Sequence, residues 1–286
     1  MPRCDVCFRH CEINEGKSGF CRARTCKDGV VCAANYGRIT GIALDPIEKK
    51  PLNRFHPGSM ILSVGSYGCN LRCPFCQNSD ISWSDEVAEW ENSCRYLPLE
   101  ELVETALSLK NRGNIGIAFT YNEPLIGYEY VRDAAKLSQE AGLKNVLVTN
   151  GTAEFHILQE ILPYIDAMNI DLKGFREDYY NRFLGGNFDM VKSFITESVK
   201  SCHVELTTLI IPGENNSEEE MREMTAWIAA LTDASGNTIG ADIPLHISRF
   251  FPRFHLTDRP ATPVATVYHL ADVARDRLRY VYTGNC

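Results

Sequence analysis

The sequence predicts an α/β fold built on a mostly parallel sheet. From residue 60 onward, short apolar runs with the length of buried strands alternate with segments of helical periodicity. Glycine or proline marks several of the boundaries between them. Six strands separated by helices favour parallel pairing with right-handed crossovers. The 286 residues are 44% apolar, which is enough for one barrel or for two smaller domains.

Residues 1–35 form a cysteine-dense head. Cys4, Cys7, Cys11 and Cys21 follow the spacing C-x2-C-x3-C-x9-C, and glycines supply turns between them. Four thiolates this close in sequence can complete a tetrahedral zinc site or hold a second iron–sulfur cluster. A head without metal is the third alternative. A bound metal would stabilise a segment that is too small to build its own core.

Residues 36–59 are interpreted as a connector, and residues 60–286 as the core domain. Short strands are expected at 31–34 and 39–44. Pro46, Pro51 and Pro57 argue against a long helix in the connector, because proline breaks helix interiors.

The core elements follow in order. Strands are expected at 61–66, 115–119, 145–148, 167–171, 204–211 and 243–248, with a short end strand at 280–283. Helices are expected at 99–110, 129–139, 155–162, 189–201, 217–230 and 263–277. Gly113 and Gly142 end the first two helices. Ser217 is the predicted N-cap of the fifth, with Glu220 three residues later as in a capping box.

The first core strand leads into a cysteine loop with the sequence Cys69-Asn-Leu-Arg-Cys73-Pro-Phe-Cys76. Three thiolates within eight residues suit soft metals or an iron–sulfur cluster. Three ligands are one short of a closed four-iron cluster, so one iron would stay open to a substrate or cofactor. Such an iron would be sensitive to oxygen, and we therefore expect an anaerobic setting.

Composition disfavours several classes of protein. The net charge is −8 and the pI about 5.4, which argues against a nucleic-acid partner. No apolar run has the length of a membrane span, and the N-terminus lacks the apolar core of a signal peptide. We therefore expect no membrane partner and a cytoplasmic location. Twelve cysteines without an export signal favour metal ligation. The acidic run 85–91 is interpreted as a solvated loop face.

The cysteine loop resembles the signature of the radical S-adenosylmethionine (SAM) superfamily, which is C-x3-C-x-aromatic-C after a strand. Phe75 occupies the aromatic position, and Cys73-Pro-Phe-Cys76-Gln-Asn78 is similar to pyruvate formate-lyase activating enzymes. The cysteine head followed by Asp45-Pro-Ile-Glu-Lys-Lys-Pro-Leu52 resembles one subgroup, the radical SAM enzyme of the AmmeMemoRadiSam system. The resemblance covers about residues 3–285. It implies a partial (β/α)6, TIM-like barrel.

The resemblance also implies which side chains bind SAM. Tyr121-Asn122-Glu123-Pro124 stands where activating enzymes carry a Gly-Gly-Glu-Pro-like motif that binds the amino group of SAM, and the AmmeMemoRadiSam group shows the same substitution. Thr149-Asn150-Gly151 matches a Thr-Asn-Gly of activating enzymes, with Asn150 as the contact. Simple strand-end turns are the alternative for both segments.

Two further segments follow later strands. Asp171-Leu-Lys173 resembles an Asp-Leu-Lys that lies against SAM, and residues two apart on a strand share one face. A buried structural ion pair is the alternative. His246-Ile-Ser-Arg249 also resembles the AmmeMemoRadiSam group, and His246 and Arg249 are expected near cofactor or substrate. Phe75 is included among the cofactor contacts.

The mechanism that the resemblance implies is reductive cleavage of SAM. Cys69, Cys73 and Cys76 would hold a [4Fe-4S] cluster, and the 5′-deoxyadenosyl radical would abstract hydrogen from a substrate. A glycine of a partner protein is one candidate substrate, and a flavodoxin or ferredoxin is a candidate electron donor. Two alternatives remain open at this point. One is a non-catalytic cysteine-rich metal-binding scaffold, and the other is radical modification of RNA or of a small molecule.

Overall fold

The computed structural model describes residues 1–83, 89–90 and 93–286. The acidic run at 85–91 falls mostly outside these residues. The strands are β1 (Arg24–Lys27), β2 (Val30–Ala33), β3 (Arg38–Ile39), β4 (Gly41–Pro46), β5 (Met60–Gly65), β6 (Arg95–Tyr96), β7 (Asn114–Phe119), β8 (Lys144–Thr149), β9 (Ala167–Asp171), β10 (His203–Ile210), β11 (Leu245–Arg249) and β12 (Val281–Gly284). The α-helices are α1 (Ser79–Ser82), α2 (Leu99–Ser108), α3 (Tyr128–Glu140), α4 (Phe155–Ile161), α5 (Phe188–Ser198), α6 (Glu218–Ala229) and α7 (Val264–Arg275).

The central sheet has eight strands in the order β12-β11-β10-β9-β8-β7-β5-β4. Neighbours from β5 to β12 pair in parallel, and β4 runs antiparallel to β5. The six predicted core strands correspond to β5 and to β7 through β11, and the end strand to β12. The predicted α/β fold is therefore confirmed. The strand order is open, with β4 and β12 at the two edges, as in a partial barrel.

The two faces of the sheet bury different partners. Side chains at alternate positions, such as Leu62, Ile117 and Leu147, belong to the large core that includes the helices. Their neighbours on the opposite face form a second cluster with the segment that follows β4. That cluster contains Ile47, Leu52, Ile61, Ala118, Val146 and Ala167. Because successive strand residues point to opposite faces, the chain after β4 covers the inner face of the sheet.

Polar contacts anchor the same segment to later strands. The main-chain nitrogens of Asn53 and Arg54 donate to the carboxylate of Glu205 at 3.0 and 2.7 Å. The amide of Asn169 donates to the carbonyl of Pro51 at 2.8 Å. The predicted connector is thus held against β9 and β10.

Local signals explain the helix ends. A 3-10 turn, Lys110–Arg112, follows α2, and Gly113 stops it in a left-handed conformation with φ +84°. Ser217 is confirmed as the N-cap of α6, since its Oγ accepts from the Glu220 nitrogen at 3.2 Å. The Glu220 carboxylate instead accepts from the nitrogen of Phe175 at 2.6 Å, so it ties α6 to the loop after β9.

The head contains the β1–β2 hairpin and packs on the segment that precedes α4. Cys7 pairs with Ala153 in an isolated bridge, and the Glu154 nitrogen donates to the carbonyl of Val6 at 2.9 Å. The division into 1–35, 36–59 and 60–286 stays a prediction.

No helix within the described residues is both long enough and apolar enough to cross a lipid bilayer.

Candidate active site

The cysteine loop begins directly after β5. Gly68 has φ +90°, and a Cβ at this position would lie 2.5 Å from the carbonyl oxygen of Cys21 and 2.8 Å from Cβ of Ala23. Only glycine accommodates both the left-handed backbone and this close approach of the head. The residue before Cys69 therefore fixes where the loop leaves the strand.

The loop opens onto a cavity of about 830 Å³ at the carboxyl ends of the strands. This volume lies in the range of about 300–1,000 Å³ that is typical of small-molecule sites. Eleven of the twelve side chains predicted for the cluster and for cofactor binding line it, namely Cys69, Cys73, Phe75, Cys76, Tyr121, Asn122, Glu123, Asn150, Asp171, Lys173 and His246. Segments as far apart in sequence as those of Cys69 and His246 thus meet at one place in the fold.

Of the three thiols of the loop, Cys73 is buried, and Cys69 and Cys76 are partly buried. Loss of solvent raises the pKa of Cys69 well above its usual range, that of Cys73 to about 12, and that of Cys76 to a lesser extent. Metal binding would displace these protons, because thiolates are the ligating form. Among the described residues, no group of three or more His, Cys, Asp or Glu side chains has the geometry to hold a single metal ion. A multi-iron cluster has a different requirement, since each thiolate binds its own iron.

Glu123 is the buried carboxylate of the cavity. It is 4% exposed, and it accepts hydrogen bonds from Thr149 Oγ1 at 2.7 Å and from the nitrogens of Asn150 and Leu125 at 2.8 and 3.1 Å. Burial raises its pKa to about 7 despite these bonds. The carboxylate therefore joins the ends of β7 and β8, and it keeps enough lone pairs to meet a further donor in the cavity.

Asn122 and Tyr121 lie in the same turn but make protein contacts. The Asn122 amide donates to the carbonyls of Tyr67 and Gly68, each at 3.1 Å, and its oxygen accepts from the Ser66 nitrogen at 3.0 Å. Tyr121 has φ +75°, and its hydroxyl donates to Asp45 Oδ2 at 2.9 Å. Asn122 therefore holds the turn against the beginning of the cysteine loop, and Tyr121 ties it to β4.

Asp171 and Lys173 form an ion pair at the end of β9, with Nζ 2.7 Å from Oδ2. Burial opposes the charge on the lysine, but the nearby carboxylate and Cys73 raise the pKa of Lys173 above its ordinary value. Lys173 is therefore cationic at neutral pH. A structural ion pair was the alternative interpretation of these two residues. The structure shows this ion pair, and both residues also line the cavity.

His246 and Arg249 differ in placement. His246 Nε2 lies 2.6 Å from Oε2 of the fully buried Glu205, and its ring stacks on Tyr282 at 5.2 Å. Arg249 is not among the described residues that line the cavity, and its Nε donates to the carbonyl of Thr262 at 2.7 Å. The structure therefore gives no geometric support to Arg249 as a cofactor contact.

Sequence reasoning missed several polar residues at the site. Glu205 accepts from His203, His246 and the chain after β4, and these bonds outweigh burial and lower its pKa to about 2. Lys50 is 3% exposed, lines the cavity and donates to Asp45 at 2.8 Å. The only carboxylate within β10 (His203–Ile210) was the available signal for Glu205.

The four head cysteines also converge. Cys4, Cys7, Cys11 and Cys21 line a second, much smaller cavity of about 10 Å³, together with Arg9 and Arg24. Burial raises the pKa of Cys4 and Cys7, and that of Cys21 to about 11. The spacing in the sequence thus corresponds to a common location in the fold.

Comparison with known proteins identifies the family. A family model of the Radical SAM superfamily matches residues 63–225, from β5 into α6. The matched span contains the cysteine loop and the ends of β7, β8 and β9.

The chain belongs to the radical SAM superfamily.

Individual relatives agree with this assignment. Uncharacterized protein MJ0808 of Methanocaldococcus jannaschii is 38% identical over 286 residues, which cover 99% of this chain and 81% of that protein. The pyruvate formate-lyase-activating enzyme of Clostridium pasteurianum is 29% identical over 164 residues, which cover 55% of this chain and 64% of the enzyme. The chain thus aligns with less than two thirds of that activating enzyme.

Solved structures share the fold of this radical SAM chain. Streptococcus suis SuiB bound to S-adenosylmethionine matches with a TM-score of 0.58 at 13% identity, over 79% of this chain and 52% of SuiB. A radical SAM methyltransferase from Sphaerobacter thermophilus matches with a TM-score of 0.54 at 16% identity, over 80% of this chain and 67% of that one.

Membership confirms three predictions from the sequence: the superfamily, an enzymatic activity, and use of a [4Fe-4S] cluster with SAM. The non-catalytic scaffold was therefore the wrong alternative. The substrate and the head metal lie beyond what family membership establishes.

Proposed function

We propose that this chain is the radical SAM enzyme of an AmmeMemoRadiSam-type system and that it abstracts hydrogen from a protein substrate. The observation that carries the proposal is the cavity of about 830 Å³, which is lined by three thiols, a buried carboxylate and a partly buried ion pair. The sequence features that resemble this subgroup, from the cysteine head to His246, support the subgroup assignment.

Cys69, Cys73 and Cys76 are the proposed cluster ligands. All three line the cavity, and the short loop between them provides no fourth thiol. One iron of a four-iron cluster would then face the cavity. When bound, the cluster and SAM together supply a 5′-deoxyadenosyl radical.

The remaining polar residues suit the two ends of SAM. Lys173 offers a cation for the methionine carboxylate, and Glu123 offers a carboxylate near the amino group. Asp171 and Asn150 can bond hydroxyl or carboxylate oxygens from neighbouring strand ends. Phe75 contributes an apolar wall and stacks on Phe183 at 6.0 Å, which helps to keep water from the reacting atoms.

In this proposal Asn122 and Tyr121 do not bond SAM through their side chains. Their polar atoms instead hold the turn that carries Glu123. His246 is a candidate for the substrate side, where it lines the cavity beside Tyr282. The structure assigns no such position to Arg249.

The head thiols are proposed to bind a second metal. Four cysteines around one small cavity match the ligand set of a tetrahedral zinc site, and also that of an auxiliary iron–sulfur cluster. A single zinc ion would require the four sulfurs to converge further than they do here. Elemental analysis decides between the two metals.

A glycine of a partner protein is the proposed hydrogen donor, and a flavodoxin or ferredoxin is the proposed electron donor. The alignment with pyruvate formate-lyase-activating enzymes supports the choice of a protein substrate. RNA or a small molecule as the hydrogen donor is the competing outcome.

Anaerobic reconstitution with iron and sulfide, followed by reduction with dithionite and addition of SAM, tests the activity. We expect 5′-deoxyadenosine and methionine in equal amounts. Cys73→Ala should abolish both products and leave the head metal in place. Cys202→Ala, which removes a thiol outside the cavity, is the matched control and should retain both products. Continued production of 5′-deoxyadenosine by Cys73→Ala would refute the ligand assignment.

A further inference from the structure

The aromatic ring of Phe20, in the head, lies between two arginines. The guanidinium carbon of Arg9 is 3.3 Å from the ring centroid, and that of Arg72, in the cysteine loop, is 3.8 Å from it. Contacts of a guanidinium with an aromatic face are attractive, and more strongly so when they are desolvated. We call Arg9, Phe20 and Arg72 the Phe20 clamp.

The Phe20 clamp fixes the backbone of the cysteine loop. Arg72 Nη1 donates to the carbonyls of Cys69 and Leu71, each at 2.9 Å, and Arg9 Nε donates to the carbonyl of Asn70 at 2.7 Å. Three successive loop carbonyls therefore accept from two arginines that contact one head residue. Arg72 also donates to the carbonyl of Phe20 itself.

A second path between head and loop runs through Asn70, which is 1% exposed. Its side-chain nitrogen donates to Thr152 Oγ1 at 2.8 Å, and the residue after Thr152 pairs with Cys7 of the head in an isolated bridge. Its oxygen accepts from the amide of Asn150 at 2.9 Å, and that same amide lies 3.8 Å from the sulfur of Cys69. One polar chain thus connects a head cysteine with a cysteine of the main site.

A charged residue, Arg9, also links the head cysteines to the cysteine loop. Arg9 lines the small head cavity together with the four head cysteines, and its Nε reaches the loop carbonyl of Asn70. A metal-bound thiolate set in the head would carry negative charge, which would attract Arg9 and offset the cost of burying it. The guanidinium that donates to Asn70 is thereby stabilised by the head metal.

From these contacts we infer that a metal bound by Cys4, Cys7, Cys11 and Cys21 orders the loop that carries Cys69, Cys73 and Cys76. The small head cannot build an independent core, so its metal holds Phe20, Arg9 and Cys7 in place. Those residues hold Asn70 and Arg72, which in turn present the three thiols to the cavity. The head residues are positioning residues in this account. The inference rests on the proposed head metal and on the proposed cluster ligands.

Amide hydrogen exchange across residues 69–76 tests this coupling in the full chain, because exchange reports local opening independently of SAM cleavage. The protein is reconstituted with iron and sulfide, or with Zn²⁺ alone, and its metal content is counted. We expect at least tenfold faster exchange of the loop in a Cys4→Ser/Cys11→Ser variant that lacks head metal. Exchange in β9 and β10 should not change, and this result would show that the core remains folded in the variant.

Phe20→Ala is the second variant, and it leaves all four head thiols in place. It should retain the head metal and still accelerate exchange of the loop, together with the release of iron to a chelator. Val30→Ala, at a residue of the head that is 64% exposed, is the matched control and should behave as the wild type.

Three outcomes would overturn the inference. The first is unchanged loop exchange after loss of the head metal. The second is unchanged exchange in Phe20→Ala. The third is a wild-type head that binds neither zinc nor iron. None of these three outcomes tests SAM cleavage. The proposed activity would be refuted by a different result, namely that the fully loaded wild type makes no 5′-deoxyadenosine.

Discussion

We expect Gly68→Ala to disrupt the packing of the head against the cysteine loop. The added Cβ would lie 2.5 Å from the Cys21 carbonyl oxygen and 2.8 Å from Cβ of Ala23. Both neighbours are rigid parts of the head rather than flexible side-chain ends. Either the loop or the head must therefore move.

The structure supplies a matched control at Gly58. Its φ is +81°, close to the +90° of Gly68, but no atom lies within 4 Å of the position its Cβ would take. Gly58→Ala should thus show only the cost of a left-handed alanine, about 1–2 kcal/mol. Gly68→Ala adds overpacking of about 1–3 kcal/mol, for a total of roughly 2–5 kcal/mol.

Urea unfolding of both variants measures the difference, and iron per chain after reconstitution reports the effect on the loop. We expect Gly68→Ala to lose at least about 1 kcal/mol more than Gly58→Ala, and to load less iron. Equal losses of stability with equal iron would refute the packing of the head against the loop.

Two other predictions concern the cavity. In metal-free protein, burial raises the pKa of Glu123 from 4.5 to about 7. The folded state therefore keeps a proton that the unfolded state releases between these pH values. Stability should fall by roughly 3 kcal/mol as pH rises through this window. Glu123→Gln should remove this contribution, and an unchanged slope in urea unfolding at pH 5 and pH 8 would contradict the assignment. Lys173→Met should weaken SAM binding about 10- to 150-fold, if it removes one charged hydrogen bond worth about 1.5–3 kcal/mol. The Lys173→Met/Asp171→Asn variant controls for the unpaired aspartate, and an unchanged dissociation constant in equilibrium dialysis would exclude Lys173 as a contact.

Local sequence was sufficient for much of the fold. The core strands were predictable because buried parallel strands are short apolar runs between helices of clear periodicity. The cysteine loop was predictable because its ligands are close in sequence. The N-cap at Ser217 was predictable because that contact spans only three residues.

Long-range contacts were not predictable in this way. Nothing in the sequence of residues 47–55 indicates that this segment covers the inner face of the sheet, because its partners lie on the distant strands β5, β7, β8 and β9. The Glu205 network joins three parts of the chain, and the Phe20 clamp joins residues 52 apart. Arg249 was placed near the cofactor by motif alone, whereas its guanidinium bonds the chain that precedes α7.

The most direct test of the account is whether SAM binds an iron of the cluster held by Cys69, Cys73 and Cys76. Electron–nuclear double resonance of the reduced protein with SAM labelled at its amino nitrogen with ¹⁵N measures this contact. The account predicts a ¹⁵N coupling in the wild type that disappears in Cys73→Ala. A loaded, reduced cluster with SAM bound and no such coupling would contradict it.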